Sequence, residues 1–136
     1  MYEEDLTAEP METSWFIDLD WYQQYKRSFP SLARDCLCTK CYKRLHASEN
    51  EIPANEIIET IKGCCANDPQ YITGNLPILE SAFRILIANG NQPMKMEDLS
   101  KQLSERRGGD TYHTSPRILY RLLTNDIYYG LRQAPG

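Results

Sequence analysis

The stretch Cys36-Leu37-Cys38-Thr39-Lys40-Cys41, together with Cys64-Cys65 farther along, decides how the first half of this chain is expected to fold. These two clusters hold all five cysteines of the 136 residues. The chain begins with the acidic segment Met1-Tyr2-Glu3-Glu4-Asp5 and shows no apolar signal peptide, so we expect a cytoplasmic protein with reduced thiols. In such a compartment clustered cysteines more often bind metal than form disulfides. The two clusters therefore predict a metal site.

Two sets of ligands are compatible with this spacing, because zinc takes four ligands and five cysteines are present. The sets are Cys36, Cys38 and Cys41 with one cysteine of the second pair, or Cys38 and Cys41 with both Cys64 and Cys65. His46 is a further candidate that could replace one cysteine. Zinc is the expected ion, and an iron–sulfur cluster is the alternative. Ordinary buried thiols would explain the second pair, which lies near an apolar helix face, but not three cysteines among polar neighbours.

The segment from Cys38 to Cys41 resembles one knuckle of a zinc ribbon. A tight turn after the first cysteine would point both thiolates at one ion, and backbone N–H groups would donate to the sulfurs. Lys40, Lys43 and Arg44 place positive charge beside the site, which lowers the pKa of thiols and offsets the charge of thiolates.

Charge is unevenly distributed along the chain. Residues 1–75 hold 7 Lys and Arg against 13 Asp and Glu, and residues 76–136 hold 8 against 6, so the net charges of −6 and +2 sum to −4. An acidic chain is a poor general binder of nucleic acid, since phosphate contacts dominate that affinity. We predict a disordered acidic tail over residues 1–13, an aromatic and cysteine-rich metal-binding module over residues 14–73, and a second domain over residues 74–136.

The metal-binding module is predicted to contain two helices besides the cysteine clusters. Asp20 is expected to cap a helix that presents Trp21 and Tyr25 on one face and ends at Phe29-Pro30. Its aromatic side chains should pack over the metal module, with a partner-binding surface as the alternative. A second helix, from residue 54 to residue 65, buries three isoleucines and carries Cys64-Cys65 back to the first cluster.

The second domain is predicted to contain three amphipathic helices and a terminal strand. The first helix follows Pro77 and ends at Asn89-Gly90-Asn91, and the second closes at Arg106-Arg107-Gly108-Gly109. Ser115-Pro116 starts the third, and Ile127–Arg132 forms the strand. The apolar positions that should face the core are Leu79, Ala82, Phe83, Leu86 and Ile87, then Met94, Met96, Leu99 and Leu103, then Ile118, Leu119, Leu122 and Leu123.

Residues 76–133 resemble the HARE-type winged helices, which include the N-terminal domain of the bacterial RNA polymerase delta subunit. The matching pieces are Ala82 and Leu86, Gln92-Pro93, Asp98-Leu99, and Tyr129-Gly130-Leu131-Arg132. The resemblance implies a fold that is mainly α, in which the three helices form a winged-helix-like domain beside the cysteine-ligated module. Only Thr124-Asn125-Asp126 separates the third helix from the strand, so the wing of that family is missing or very short.

The resemblance also implies a transcription or chromatin module that contacts RNA polymerase or DNA. Its third helix would be the recognition helix. The candidate contact residues are Arg106, Arg107, Arg117, Tyr120 and Arg121. The alternative is that Arg117 and Arg121 are ordinary solvated side chains, since such domains often bind protein instead of DNA.

We therefore expect a metal-stabilised regulator or adaptor of the transcription machinery that acts through protein contacts and, more weakly, DNA contacts. The alternatives are an iron–sulfur or redox-sensing regulator and a structural subunit of a larger complex. Enzymatic function is not expected, because the chain has no glycine-rich phosphate loop, no HExxH motif and no paired-carboxylate signature. A membrane span is not expected either, because the chain has no apolar run of sufficient length.

Overall fold

The computed structural model describes residues 12–45, 52–108 and 115–135. Within these ranges the chain is mainly helical, as predicted. The elements in chain order are β1 (Ser14–Ile17), α1 (Leu19–Gln24), α2 (Phe29–Arg34), α3 (Thr39–Leu45), α4 (Ala54–Gly63), a 3₁₀ turn (Cys65–Asn67), α5 (Ile78–Ala88), β2 (Met94–Lys95), α6 (Met96–Arg106), α7 (Pro116–Thr124) and β3 (Leu131–Gln133). None of the helices in these ranges is long and apolar enough to cross a membrane.

The three strands form one antiparallel sheet in the order β2-β1-β3. In the register, Trp15 lies opposite Met94 on one side and Gln133 on the other. Residues 14–17 were predicted only as an aromatic segment, yet they form the central strand, with Trp15 and Ile17 buried. Thr13, which the predicted tail included, is also buried, and its carbonyl accepts a hydrogen bond from the Met96 N–H at 2.7 Å. Residues 1–11 of that tail, and His46, lie outside the described residues.

One hydrophobic core runs from Trp15 to Leu131 and includes side chains from both sides of the boundary that was predicted near residue 74. Phe29 from α2 meets Phe83 from α5 with ring centroids 6.0 Å apart. The Trp15 and Tyr120 rings also meet edge to face, at 5.9 Å. The aromatic segment thus packs into the shared core with the C-terminal helices, and does not simply cover the metal module as expected.

The start of the chain differs from the prediction at two helix ends. Asp18, not Asp20, is the N-cap of α1, and its carboxylate accepts from the Asp20 N–H. Phe29 and Pro30 begin α2, although they were expected to end the preceding helix. Ser28 caps α2 by accepting from the Ser31 N–H, and proline fits the first turn, where no intrahelical partner is needed.

The three C-terminal helices agree closely with the prediction. α5 and α6 have the expected ends, and Ser115 caps α7 by accepting from the Ile118 N–H. Two details were wrong. Ile118 was placed on the buried face but is half exposed, and the strand begins at Leu131 because Ile127 and Tyr128 form an exposed loop. Among the described residues β3 pairs with β1 alone, and the winged-helix assignment stays a prediction.

Candidate metal centre

The first cysteine cluster lies at the start of α3. Cys38 directly precedes the helix, and Cys41 lies one turn into it, on the buried face that it shares with Leu45. The exposed face of α3 carries Lys40 and Lys43, among other polar residues. Residues four apart share one face of a helix, so burying Leu45 also turns Cys41 inward.

The second cluster lies where α4 ends. Buried Ile57 and Ile61 hold this helix against the core, and Cys64 is its C-terminal cap. Cys65 then begins the 3₁₀ turn and is 1% exposed. The predicted helix through residue 65 therefore stops two residues early, and the change of backbone direction at Cys64 lets both neighbouring thiols reach the same point.

The structure brings four thiols together: the ligand atoms of Cys38, Cys41, Cys64 and Cys65 all lie within 4.8 Å of one another. Cys41 and Cys65 are buried, whereas Cys38 and Cys64 are partly exposed. The Sγ atoms of Cys38 and Cys65 are 3.5 Å apart. This group is the second of the two sets expected from the sequence, and it can bind a metal ion.

Backbone N–H groups support the sulfurs, as the knuckle pattern predicted. The Cys38 N–H donates to the Cys65 Sγ at 3.2 Å. A backbone hydrogen bond from Cys41 lowers the pKa of the Cys38 thiol to about 7. Burial raises the pKa of Cys65 to about 12, and hydrogen bonding with the Cys41 side chain is the main cause that raises the pKa of Cys64. Cys38 is thus the most readily ionised of these three thiols, and metal binding must displace protons from the others.

Cys36 is not a member of the four-thiol group. It lies just beyond α2, is 4% exposed, and burial raises the pKa of its thiol to about 12. The thiol belongs to the hydrophobic core. Three cysteines in six residues do not all face one point, because the chain bends at Leu37, between Cys36 and the other two.

Arg106 and Arg107 were expected to contact phosphates or a partner, and the structure gives both a different role. The Arg106 guanidinium donates to the Ala66 carbonyl at 2.8 Å, one residue past Cys65. Arg107 donates to the Leu76 carbonyl at 2.8 Å. Both side chains donate hydrogen bonds to carbonyls in the segment that leads out of the metal centre, where no helix supplies N–H donors. These hydrogen bonds hold that segment against the end of α6.

A second set of hydrogen bonds, which was not predicted from the sequence, joins Arg84 and Tyr71. Arg84 donates to the carbonyls of Tyr71 at 2.8 Å and Asp35 at 3.2 Å, and it pairs with Glu80 at 3.0 Å. In return, the Tyr71 hydroxyl donates to the Arg84 carbonyl at 2.6 Å. The only signal in the sequence is a lone charge at position 84, inside the otherwise apolar run from Ala82 to Ile87.

The remaining candidate contact residues lie on α7, which is separate from the cysteines in the sequence. Arg117 and Arg121 are exposed, one helical turn apart. Tyr120 is partly buried and packs against Trp15. The exposed arginines are available for a partner, whereas Tyr120 is engaged in holding α7 on the sheet.

Comparisons with known proteins identify no family: no family model matches the chain, and no curated protein or solved structure matches it.

Proposed function

We propose that this protein is a metal-stabilised adaptor of the transcription machinery, in which Cys38, Cys41, Cys64 and Cys65 bind one zinc ion. The proposal rests above all on the four ligand atoms lying within 4.8 Å of one another. No other pattern in the described residues offers comparable chemistry.

The spacing of the thiols favours a single ion over a cluster. Zn–S bonds of about 2.3 Å in a tetrahedron put the sulfurs about 3.8 Å apart. The observed separations, up to 4.8 Å, need only a small contraction to reach this geometry. An iron–sulfur cluster places two or more irons between its thiolates and spreads them farther. The thiolate set suits zinc, and the cations of α3 offset its negative charge.

The proposed role of the ion is to attach α3 to the end of α4. The buried face of α3 consists of only Cys41 and Leu45, which is little apolar area for a helix of seven residues. Metal ligation supplies folding energy directly where an apolar core is small. The ion would therefore hold this end of the molecule while the shared core holds the remainder.

The proposed adaptor role comes from α7 and from the resemblance to the winged helices of the transcription machinery. Arg117 and Arg121 form an exposed cationic edge on the helix that would correspond to the recognition helix. A net charge of −4 disfavours DNA as the main partner. A protein partner, such as an RNA polymerase subunit, fits these features better.

Metal analysis of the full chain, purified without oxygen, tests the metal part of the proposal. One equivalent of zinc in a colourless protein supports it, whereas iron with visible absorbance would replace it with the iron-based regulator. Co-purification of polymerase subunits tests the adaptor part, with the Arg117→Ala, Arg121→Ala double variant as the matched control. A wild-type protein that retains no more polymerase than this variant would contradict that part.

A further inference from the structure

Exposed apolar side chains are concentrated on one surface, formed by the end of α1 and the loop before β3. Of the five large apolar side chains that are exposed in the described residues, this surface holds Tyr25, Ile127 and Tyr128, which are 55%, 79% and 49% exposed. Single exposed apolar side chains are ordinary, but a group of them marks an interaction site.

Ring contacts through Trp21 and Arg27 link Tyr25 to Tyr128. The Tyr25 and Trp21 centroids are 5.3 Å apart, and the Arg27 guanidinium lies 5.5 Å from the Trp21 centroid and 5.1 Å from that of Tyr128. We call these four side chains the aromatic stack. Tyrosine, tryptophan and arginine are the residues that most often dominate binding energy at protein interfaces.

The loop that carries Ile127 and Tyr128 is held in one conformation by Asp126. Its Oδ1 accepts from the Tyr128 N–H at 3.0 Å, and its Oδ2 accepts from the Leu131 N–H at 2.9 Å. From the other side, the Tyr22 hydroxyl donates to the Tyr129 carbonyl at 2.5 Å. A surface that is already ordered loses little entropy on binding.

The two cations at this surface, Arg27 in the aromatic stack and Lys26 next to it in the chain, favour an acidic partner. Lys26 and Arg27 form no ion pair with any residue that the structure describes. The nearby Asp126 directs both carboxylate oxygens at backbone N–H groups. A cavity of about 530 Å³ adjoins the two cations and is walled by Leu19, Tyr22, Phe29, Pro30 and Ile52, among other residues. The surface thus offers a partly apolar cavity beside two cations that have no carboxylate partner among the described residues.

We propose that this surface binds a protein segment in which a carboxylate stands beside aliphatic or aromatic side chains, and this inference rests on the proposed adaptor function. The carboxylate would lie on Lys26 and Arg27, and the apolar side chains against Ile127 and Tyr128. Two cations are too few for nucleic acid, whose binding depends on many phosphate contacts. A second copy of the chain would bring the same cations to this surface.

The test is a selection from a random library of displayed peptides about ten residues long, with the full chain as target. We expect enriched peptides to place Asp or Glu next to Leu, Ile or an aromatic residue. Binding should fall at least about tenfold in the Arg27→Gln, Tyr128→Ser double variant. An Ile118→Ser, Lys101→Gln variant is the matched control, because it removes an exposed apolar residue and an exposed cation outside the stack and should bind normally.

Three outcomes would overturn the proposal: no enriched peptides, peptides rich in Lys and Arg, or peptides that the stack variant binds as well as the wild type does. Ile127→Ser guards against loss through misfolding, because a side chain that is 79% exposed contributes little to the core. The Ile127→Ser variant should also bind the selected peptides more weakly, while its unfolding temperature stays that of the wild type. If the proposed adaptor function alone fails, the chain retains no polymerase subunits but still selects acidic peptides.

Discussion

The side-chain amide of Asn91 bonds both backbone polar groups of Ile17: Oδ1 accepts from the N–H at 2.8 Å, and Nδ2 donates to the carbonyl at 2.9 Å. β2 pairs only with Ser14 and Trp15, so Asn91 supplies hydrogen bonds to the central strand where β2 has ended. Asn91 adopts a φ of +57° just beyond α5, a conformation that asparagine tolerates better than most residues. The end of this helix therefore positions the central strand.

Replacing Asn91 by alanine should lower the free energy of unfolding by about 2–4 kcal/mol, because two buried backbone groups lose their partners and the backbone becomes strained. Urea unfolding would measure this change. Asn91→Gly is the matched control: it relieves the backbone strain but still lacks the hydrogen bonds, and it should be about 1 kcal/mol less damaging. Wild-type stability in both variants would show that the amide contributes nothing.

The metal centre predicts a sharp contrast between two neighbouring cysteines. Cys41→Ser should lose the metal and lower the free energy of unfolding by about 3–5 kcal/mol. Cys36→Ala should keep a full equivalent of metal and lose only about 1–2 kcal/mol, the cost of a small cavity. Elemental analysis and thermal unfolding of both variants would check this. Loss of metal in Cys36→Ala would instead favour the alternative ligand set, which contains Cys36.

Of Gly63, Gly90 and Gly130, Gly130 has the least room for a side chain. Its φ is +71°, and a Cβ there would lie 2.8 Å from Cε1 of Tyr22 and 3.0 Å from Cε3 of Trp21. Gly130→Ala should therefore lower the free energy of unfolding by about 2–4 kcal/mol. Gly63→Ala is the control, since nothing lies within 4 Å of a Cβ added at that position. It should leave the free energy of unfolding unchanged or raise it slightly. Similar unfolding midpoints in urea for both variants would refute the close packing.

A fragment of residues 74–136 tests the predicted domain boundary. It lacks β1, so β2 and β3 lose their shared neighbour, and the sites filled by Trp15 and Ile17 are left empty. We now expect this fragment to unfold without cooperativity, whereas residues 12–136 should unfold as one unit. Circular dichroism during heating would distinguish the two. A cooperative transition in the short fragment would show that the C-terminal helices form an independent domain after all.

Binding of the full chain to random duplex DNA should be weak or absent near physiological salt. The chain is acidic, and Arg106 and Arg107, two of the candidate phosphate contacts, are directed at backbone carbonyls. The Arg117→Ala, Arg121→Ala variant should lose a protein partner more readily than it loses DNA. Fluorescence anisotropy would check the DNA affinity. Sub-micromolar binding at about 0.15 M salt would contradict the prediction, since non-specific binding is typically about 10⁻⁴–10⁻⁶ M.

Local sequence patterns are enough to predict the helices of the C-terminal half and the thiol ligands of the candidate site. The bounds of α5, α6 and α7 follow from apolar residues three and four apart and from end signals such as Ser115. These are local effects, acting within a turn or two of the chain, so they can be read without knowing the fold. The cysteine spacing likewise restricted the expected metal ligands to the five cysteines, with His46 as one further candidate.

Long-range contacts, by contrast, decide which cysteines converge, which strand is central and which arginines contact distant carbonyls. A bend at Leu37 separates Cys36 from Cys38, and Cys65 reaches Cys38 because α4 packs in the shared core. Residues 14–17 form a strand because β2 and β3 flank them. The preference of a short aromatic segment for the strand conformation depends mainly on what it packs against. The Arg106 side chain donates to the carbonyl of Ala66, 40 residues earlier in the chain. Each of these outcomes depends on contacts between distant residues, whose geometry no local pattern encodes.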